Sequence, residues 1–111
     1  MEFGLSQEHI TKIRGVFNNY PEVEKVIIYG SRAMGNYKPY SDIDLTIEST
    51  STDLALQFRI ETELDDLMLA YKIDLSLFKT ISNPDLVEHI ERVGKVFFDK
   101  KSGFQHSPKM F

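Results

Sequence analysis

The chain has 111 residues, 41% of them apolar and 27% charged, the size of one small domain with one modest core. Thirteen Lys and Arg against seventeen Asp and Glu leave a net charge of −4, which argues against general nucleic-acid binding, since such proteins present a basic surface. With no cysteine, disulfides and thiolate zinc sites are excluded. No apolar run approaches the roughly 18 residues of a membrane helix, and Met1-Glu2-Phe3-Gly4 lacks a signal-peptide layout, so the expected location is the cytoplasm.

Ser6 is a fitting N-cap, and Ile10, Ile13, Phe17 and Tyr20 follow at helical spacing. Asn18-Asn19-Tyr20-Pro21 stops that helix. Val23 to Tyr29 is β-branched and aromatic and reads as a strand, with its second half buried on both faces. Gly30-Ser31 breaks it, Arg32 to Gly35 has room for one helical turn, and Asn36 to Ser41 is a polar loop.

Asp42 to Glu48 alternates, with Ile43, Leu45 and Ile47 opposite Asp42, Asp44, Thr46 and Glu48. After a turn at Ser49 to Thr52, a helix is predicted from Asp53 to about Ala70, its stripe formed by Leu56, Ile60, Leu64, Leu67 and Tyr71. Lys72 to Phe78 alternates again. Asn83-Pro84 starts a last helix, lined by Leu86, Ile90 and Val93, with Gly94 as the expected C-terminal cap. Val96-Phe97-Phe98 reads as a short edge strand. The domain is thus predicted over 1–99, with a polar tail over 100–111. The four lysines of 94–111 make this the one basic segment, read as solvated.

The link between the first two strands is too short for a crossover helix. The expected fold is α+β, a small mixed sheet of three to four strands with helices mainly on one face. The opposite face would stay open and carry the carboxylates.

Asp42 and Asp44 leave that face together, roughly 6.5–7 Å apart along the strand. Their repulsion is relieved by a divalent cation. Mg²⁺ suits them because it takes one or two carboxylates and completes its shell with water and phosphate oxygens. Asp74 sits on the polar side of the third strand and would join them if the two strands are neighbours. Gly30 lets the backbone approach a phosphate closely, and Ser31 offers a hydroxyl and an amide. If Arg32 begins a helical turn, the N-terminus of that turn adds a partial positive charge. Taken singly, each piece has a bland reading: a solvated strand face, an ordinary turn, surface charges. The combination carries the argument: a buried strand, Gly-Ser, ten residues, Asp-x-Asp, then an Asp in a third alternating strand.

That combination resembles the minimal nucleotidyltransferases of the DNA polymerase beta superfamily. The matching text is Gly30-Ser31-Arg32-Ala33-Met34-Gly35, Ser41-Asp42-Ile43-Asp44-Leu45 and Lys72-Ile73-Asp74-Leu75, within a likeness covering about residues 5–98. The resemblance implies the nucleotidyltransferase fold, with Asp42, Asp44 and Asp74 as metal-binding, catalytic carboxylates. It implies nucleotide binding at Gly30, Ser31 and Arg32, ATP as substrate, and two Mg²⁺ ions with the substrate bound. Met34 stands where many relatives have a second basic residue, which leaves Arg32 as the main basic group of the turn. Members this short resemble the antitoxin half of a toxin–antitoxin pair, which silences a helical HEPN-type ribonuclease by transferring AMP to a tyrosine. Two other readings stay open: transfer to a small molecule with a separate acceptor subunit, and a catalytically silent antitoxin that blocks by contact. A homodimer through the Val96–Phe98 edge is also an expectation.

Asp42-Ile43-Asp44-Leu45-Thr46 also fits the D-x-D-x-T motif of haloacid dehalogenases, but no hydrophobic strand runs into Asp42. Glycosyltransferases that use D-x-D need a larger nucleotide-sugar domain. Ser31 is no hydrolase nucleophile, since the elbow Gly is Tyr29 here. His9, His89 and His106 lack metal spacing. Tyr29, Tyr37 and Tyr40 flank the motif, and turn packing is the favoured role over stacking on a base.

Overall fold

The computed structural model describes residues 2–101. Its elements are α1 Gln7–Asn18, β1 Val23–Tyr29, α2 Gly30–Met34, β2 Ile43–Ser49, α3 Leu54–Asp66, β3 Ile73–Leu77, α4 Pro84–Val93 and β4 Lys95–Asp99, with a 3₁₀ turn at Phe78–Thr80. The strands form a four-stranded sheet in the order β3-β2-β1-β4. β1 is antiparallel to β2 and β4, whereas β2 and β3 run parallel. The mixed α+β architecture expected from the sequence is present.

The helices start where capping chemistry places them. Ser6 accepts from the His9 amide at 3.2 Å, Asp53 from Ala55 at 2.9 Å and Asn83 from Asp85 at 2.9 Å. α3 ends earlier than expected, at Asp66 instead of about Ala70. Asp65 and Asp66 place negative charge at the negative end of the helix dipole. Met68 then takes the left-handed conformation, with φ 57°, as residues just past helix ends often do. Leu67 and Tyr71 therefore lie beyond the helix, although both still pack on the core.

One face of the sheet holds that core. Val26, Ile28, Ile43, Leu45, Ile47, Leu75 and Leu77 meet Ile10, Ile13 and Phe17 of α1 and Leu56, Ile60 and Leu64 of α3. The buried Arg14 ties α1 to the sheet, donating through Nε to the Phe97 carbonyl at 2.7 Å. A bulge in the β1–β4 pairing lies between Val26 and Ile27, and it lets the successive residues Phe97 and Phe98 both turn into the core. Apolar surface of this strand is accordingly reduced to Val96.

The second face is not left open, as expected, but is partly covered. α4 lies over β1 there, with Ile90 buried outside the main core cluster. Gly94 caps the C-terminus of α4 as expected, its N–H donating to the Ile90 carbonyl, in extended backbone with φ −64°. It is needed for space: an added Cβ would collide with the Ile90 carbonyl and stand 2.6 Å from Ile27 Cγ2. Residues 102–111 of the predicted tail lie outside the described residues.

Gly94→Ala should lift α4 from β1 and cost about 1–3 kcal/mol. Urea unfolding monitored by circular dichroism checks this through a lower midpoint at unchanged slope.

Candidate active site

β1 leaves the sheet at Tyr29, and the chain turns at Gly30 into α2. Two constraints select glycine there. Its φ is +72°, a conformation that side chains rarely adopt, and a Cβ would run into Asp44 Oδ2. The Gly30-Ser31 backbone thus lies directly against the Asp44 carboxylate.

Sheet register assembles the rest. Tyr29 pairs with Asp44 across the antiparallel ladder, and Asp44 pairs with Asp74 across the parallel one. The three side chains form one row on the face that α4 borders. Asp42, one residue before β2, shares that side by alternation. Asp42 and Asp74 are exposed, and Asp44 is half-buried. In the next row the Ser76 hydroxyl donates to Thr46 Oγ1 at 2.9 Å.

The electrostatics follow from this crowding. Burial pushes the Asp44 carboxyl above its usual range, and Asp74 and Asp42 push it further; His89 and Lys72 oppose the rise. Burial also raises the Tyr29 phenol, with Asp44 and Asp74 adding to the effect. Among the described residues, no three His, Cys, Asp or Glu side chains are placed to hold a metal ion by themselves. The donor set still suits Mg²⁺, which needs only one or two protein carboxylates. A cavity of about 330 Å³ opens elsewhere, between α3 and the start of β3, lined by Glu61, Asp65, Tyr71 and Lys72 among others.

Arg32 departs from its expected role. It is only 2% exposed. Its guanidinium donates to the Ser41 carbonyl (Nε 3.1 Å, Nη2 2.9 Å), to Phe3 (Nη1, 2.9 Å) and to Pro39 (Nη2, 3.2 Å). The Tyr37 and Tyr71 rings lie 5.3 and 5.1 Å from it. A charge so engaged clamps the loop that delivers Asp42. Tyr37 thereby has the packing role expected of it. Tyr29 is also packed, at 8% exposure, while Tyr40 is 80% exposed.

His89 is the residue that sequence reading passed over. Its spacing along the chain carries no signal. Tertiary structure brings it from α4 onto the Tyr29 ring, edge-on at a centroid distance of 6.2 Å.

Comparison with known proteins fits this geometry. The family described as "Polymerase beta, Nucleotidyltransferase" matches residues 11–103. A curated relative, "Putative protein adenylyltransferase MJ0128" of Methanocaldococcus jannaschii, is 32% identical over 83 residues, 74% of this chain and 84% of its own. Three solved structures share the fold. A toxin–antitoxin with AMP-PNP has a TM-score of 0.66 at 20% identity, covering 89% of this chain and 77% of that one. The toxin–antitoxin MntA-HepT has 0.63 at 18%, covering 88% and 76%. The tri-AMPylated Shewanella oneidensis HEPN toxin in complex with MNT antitoxin has 0.64 at 17%, covering 91% and 78%. Among the described residues no helix is long and apolar enough to cross a membrane.

Two outcomes follow. Arg32→Ala should destabilise the fold by about 2–4 kcal/mol, because three carbonyls lose their donor; a phosphate ligand would leave the melting temperature nearly unchanged. Asp44→Asn should raise the melting temperature at neutral pH. The native state holds this carboxyl above its ordinary value of 3.8, so its ionised form opposes folding. Stability falls as pH rises through the folded pKa, and the advantage of the variant shrinks as pH drops back toward the ordinary value. Calorimetric melts across pH check both sign and window.

Proposed function

Because the chain belongs to the polymerase beta nucleotidyltransferase family, we propose that it is an Mg²⁺-dependent enzyme that transfers AMP from ATP to a hydroxyl of a HEPN-type toxin, and so acts as that toxin's antitoxin. The observation that carries this reading is the row Asp44–Asp74, with Asp42 on the same side and Gly30-Ser31 against it. The adenylyltransferase named among the relatives and the AMPylated toxin in one structural neighbour support the acceptor class.

The residues divide the work. Asp42 and Asp44 would hold Mg²⁺, with Asp74 completing the set from the neighbouring strand; the metal would supply Lewis acidity toward the attacking hydroxyl and charge neutralisation for the departing pyrophosphate. The Gly30-Ser31 backbone lies close enough to Asp44 to receive phosphate beside it. The acceptor oxygen forms a bond to the α-phosphorus, and the bond to pyrophosphate breaks. The hydroxyl proton passes to a carboxylate, for which exposed Asp74 is placed at the rim. Tyr29 floors the site and keeps water from beneath it.

One observation favours a second reading. With Arg32 buried and Met34 exposed, the turn presents no basic side chain, as a silent, contact-only antitoxin would not need one. Incubation with labelled ATP, Mg²⁺ and the helical partner decides between them. The expected result is label on a partner tyrosine, reduced at least about 100-fold in Asp42→Asn/Asp44→Asn. Unlabelled partner, with the variant neutralising as well as wild type, would leave the contact-only reading.

A further inference from the structure

We propose that His89 is the basic side chain that meets the phosphate chain of the bound nucleoside triphosphate, an assignment that rests on the nucleotidyl-transfer reading above. The need for such a group is visible in the turn. Arg32, its only basic side chain, is engaged with the Phe3, Pro39 and Ser41 carbonyls, and Met34 is apolar. Three carboxylates stand on this face already. A triphosphate brings further negative charge, so a hydrogen-bond donor beyond bound metal is called for.

The fold supplies one. Gly94 lets the end of α4 settle on Ile27 of β1, and Ile90 is buried. His89, the preceding residue, is held against the Tyr29 ring, and Tyr29 is the register partner of Asp44. The imidazole is half-buried, so it is both located and reachable. Among the described residues neither ring nitrogen has a hydrogen-bond partner, which leaves both for a ligand. Lys72, on the opposite flank, is exposed and carries its charge on a flexible stem. A purely structural edge-on ring contact would need no nitrogen.

The test is calorimetric titration of the full chain with ATP and with AMP, each with Mg²⁺, on wild type, His89→Ala and His89→Lys. His89→Ala should weaken ATP binding about tenfold, the loss of one charge-assisted hydrogen bond. AMP binding should change less than about twofold, since AMP lacks the β- and γ-phosphates, and His89→Lys should recover most of the ATP affinity. His89→Gln takes the place of alanine if the truncation lowers the melting temperature. Equal weakening of ATP and AMP, or no weakening of either, overturns the assignment while leaving nucleotidyl transfer standing. A wild-type chain that binds neither nucleotide overturns the transfer reading and this assignment together.

Discussion

The parallel pairing of β2 with β3 forces Asp44 beside Asp74, and much of the molecule is organised around that contact. Like charges opposite one another in a ladder destabilise it, by an amount of order up to ~1 kcal/mol. The same register puts Ile43, Leu45, Ile47, Leu75 and Leu77 into the core on the other face. Each of those is worth about 1.5–3 kcal/mol when fully buried. A slip of one residue would expose the apolar set of a strand to relieve one repulsion. Hydrophobic burial wins by a wide margin, so the fold holds two carboxylates in a proximity that their own chemistry resists. Burial raises the Asp44 carboxyl and Asp74 raises it further; a bound cation would relieve the repulsion.

Two further constraints shape the approach to this row. Gly30 brings backbone against the Asp44 carboxylate where any side chain would collide. Arg32 then fixes the loop from Pro39 to Ser41, which runs into Asp42. A buried guanidinium is tolerated only when its donors are used, and here backbone carbonyls from the N-terminal turn and the α2–β2 loop use them. The Arg32 charge thus holds in place the loop that runs into Asp42.

α4 reaches this face through close packing. Without a Cβ at Gly94, the helix end and Ile27 come into contact, which sets the height of α4 above β1. His89 reaches Tyr29 as a consequence. The second face is therefore a half-roofed floor: Tyr29 beneath, carboxylates at the open side, and an imidazole at the edge of the roof.

The sequence by itself determined the element order, the helix starts and the identity of the carboxylates. These are local matters: alternation of period two, capping side chains, and a Gly-Ser turn ten residues before Asp-x-Asp. The family followed from that spacing, and the matched residues 11–103 agree with it. Tertiary structure decided what depends on residues distant in sequence. The end of α3 fell to its terminal charges and to the left-handed Met68, which propensity over a window does not resolve. Arg32 looked free for phosphate because the carbonyls it binds include Phe3, 29 residues away. His89 looked bland because its neighbours lie on another element. A motif reports which groups are present; packing and strand register decide which of them face the substrate and which are consumed in holding the frame.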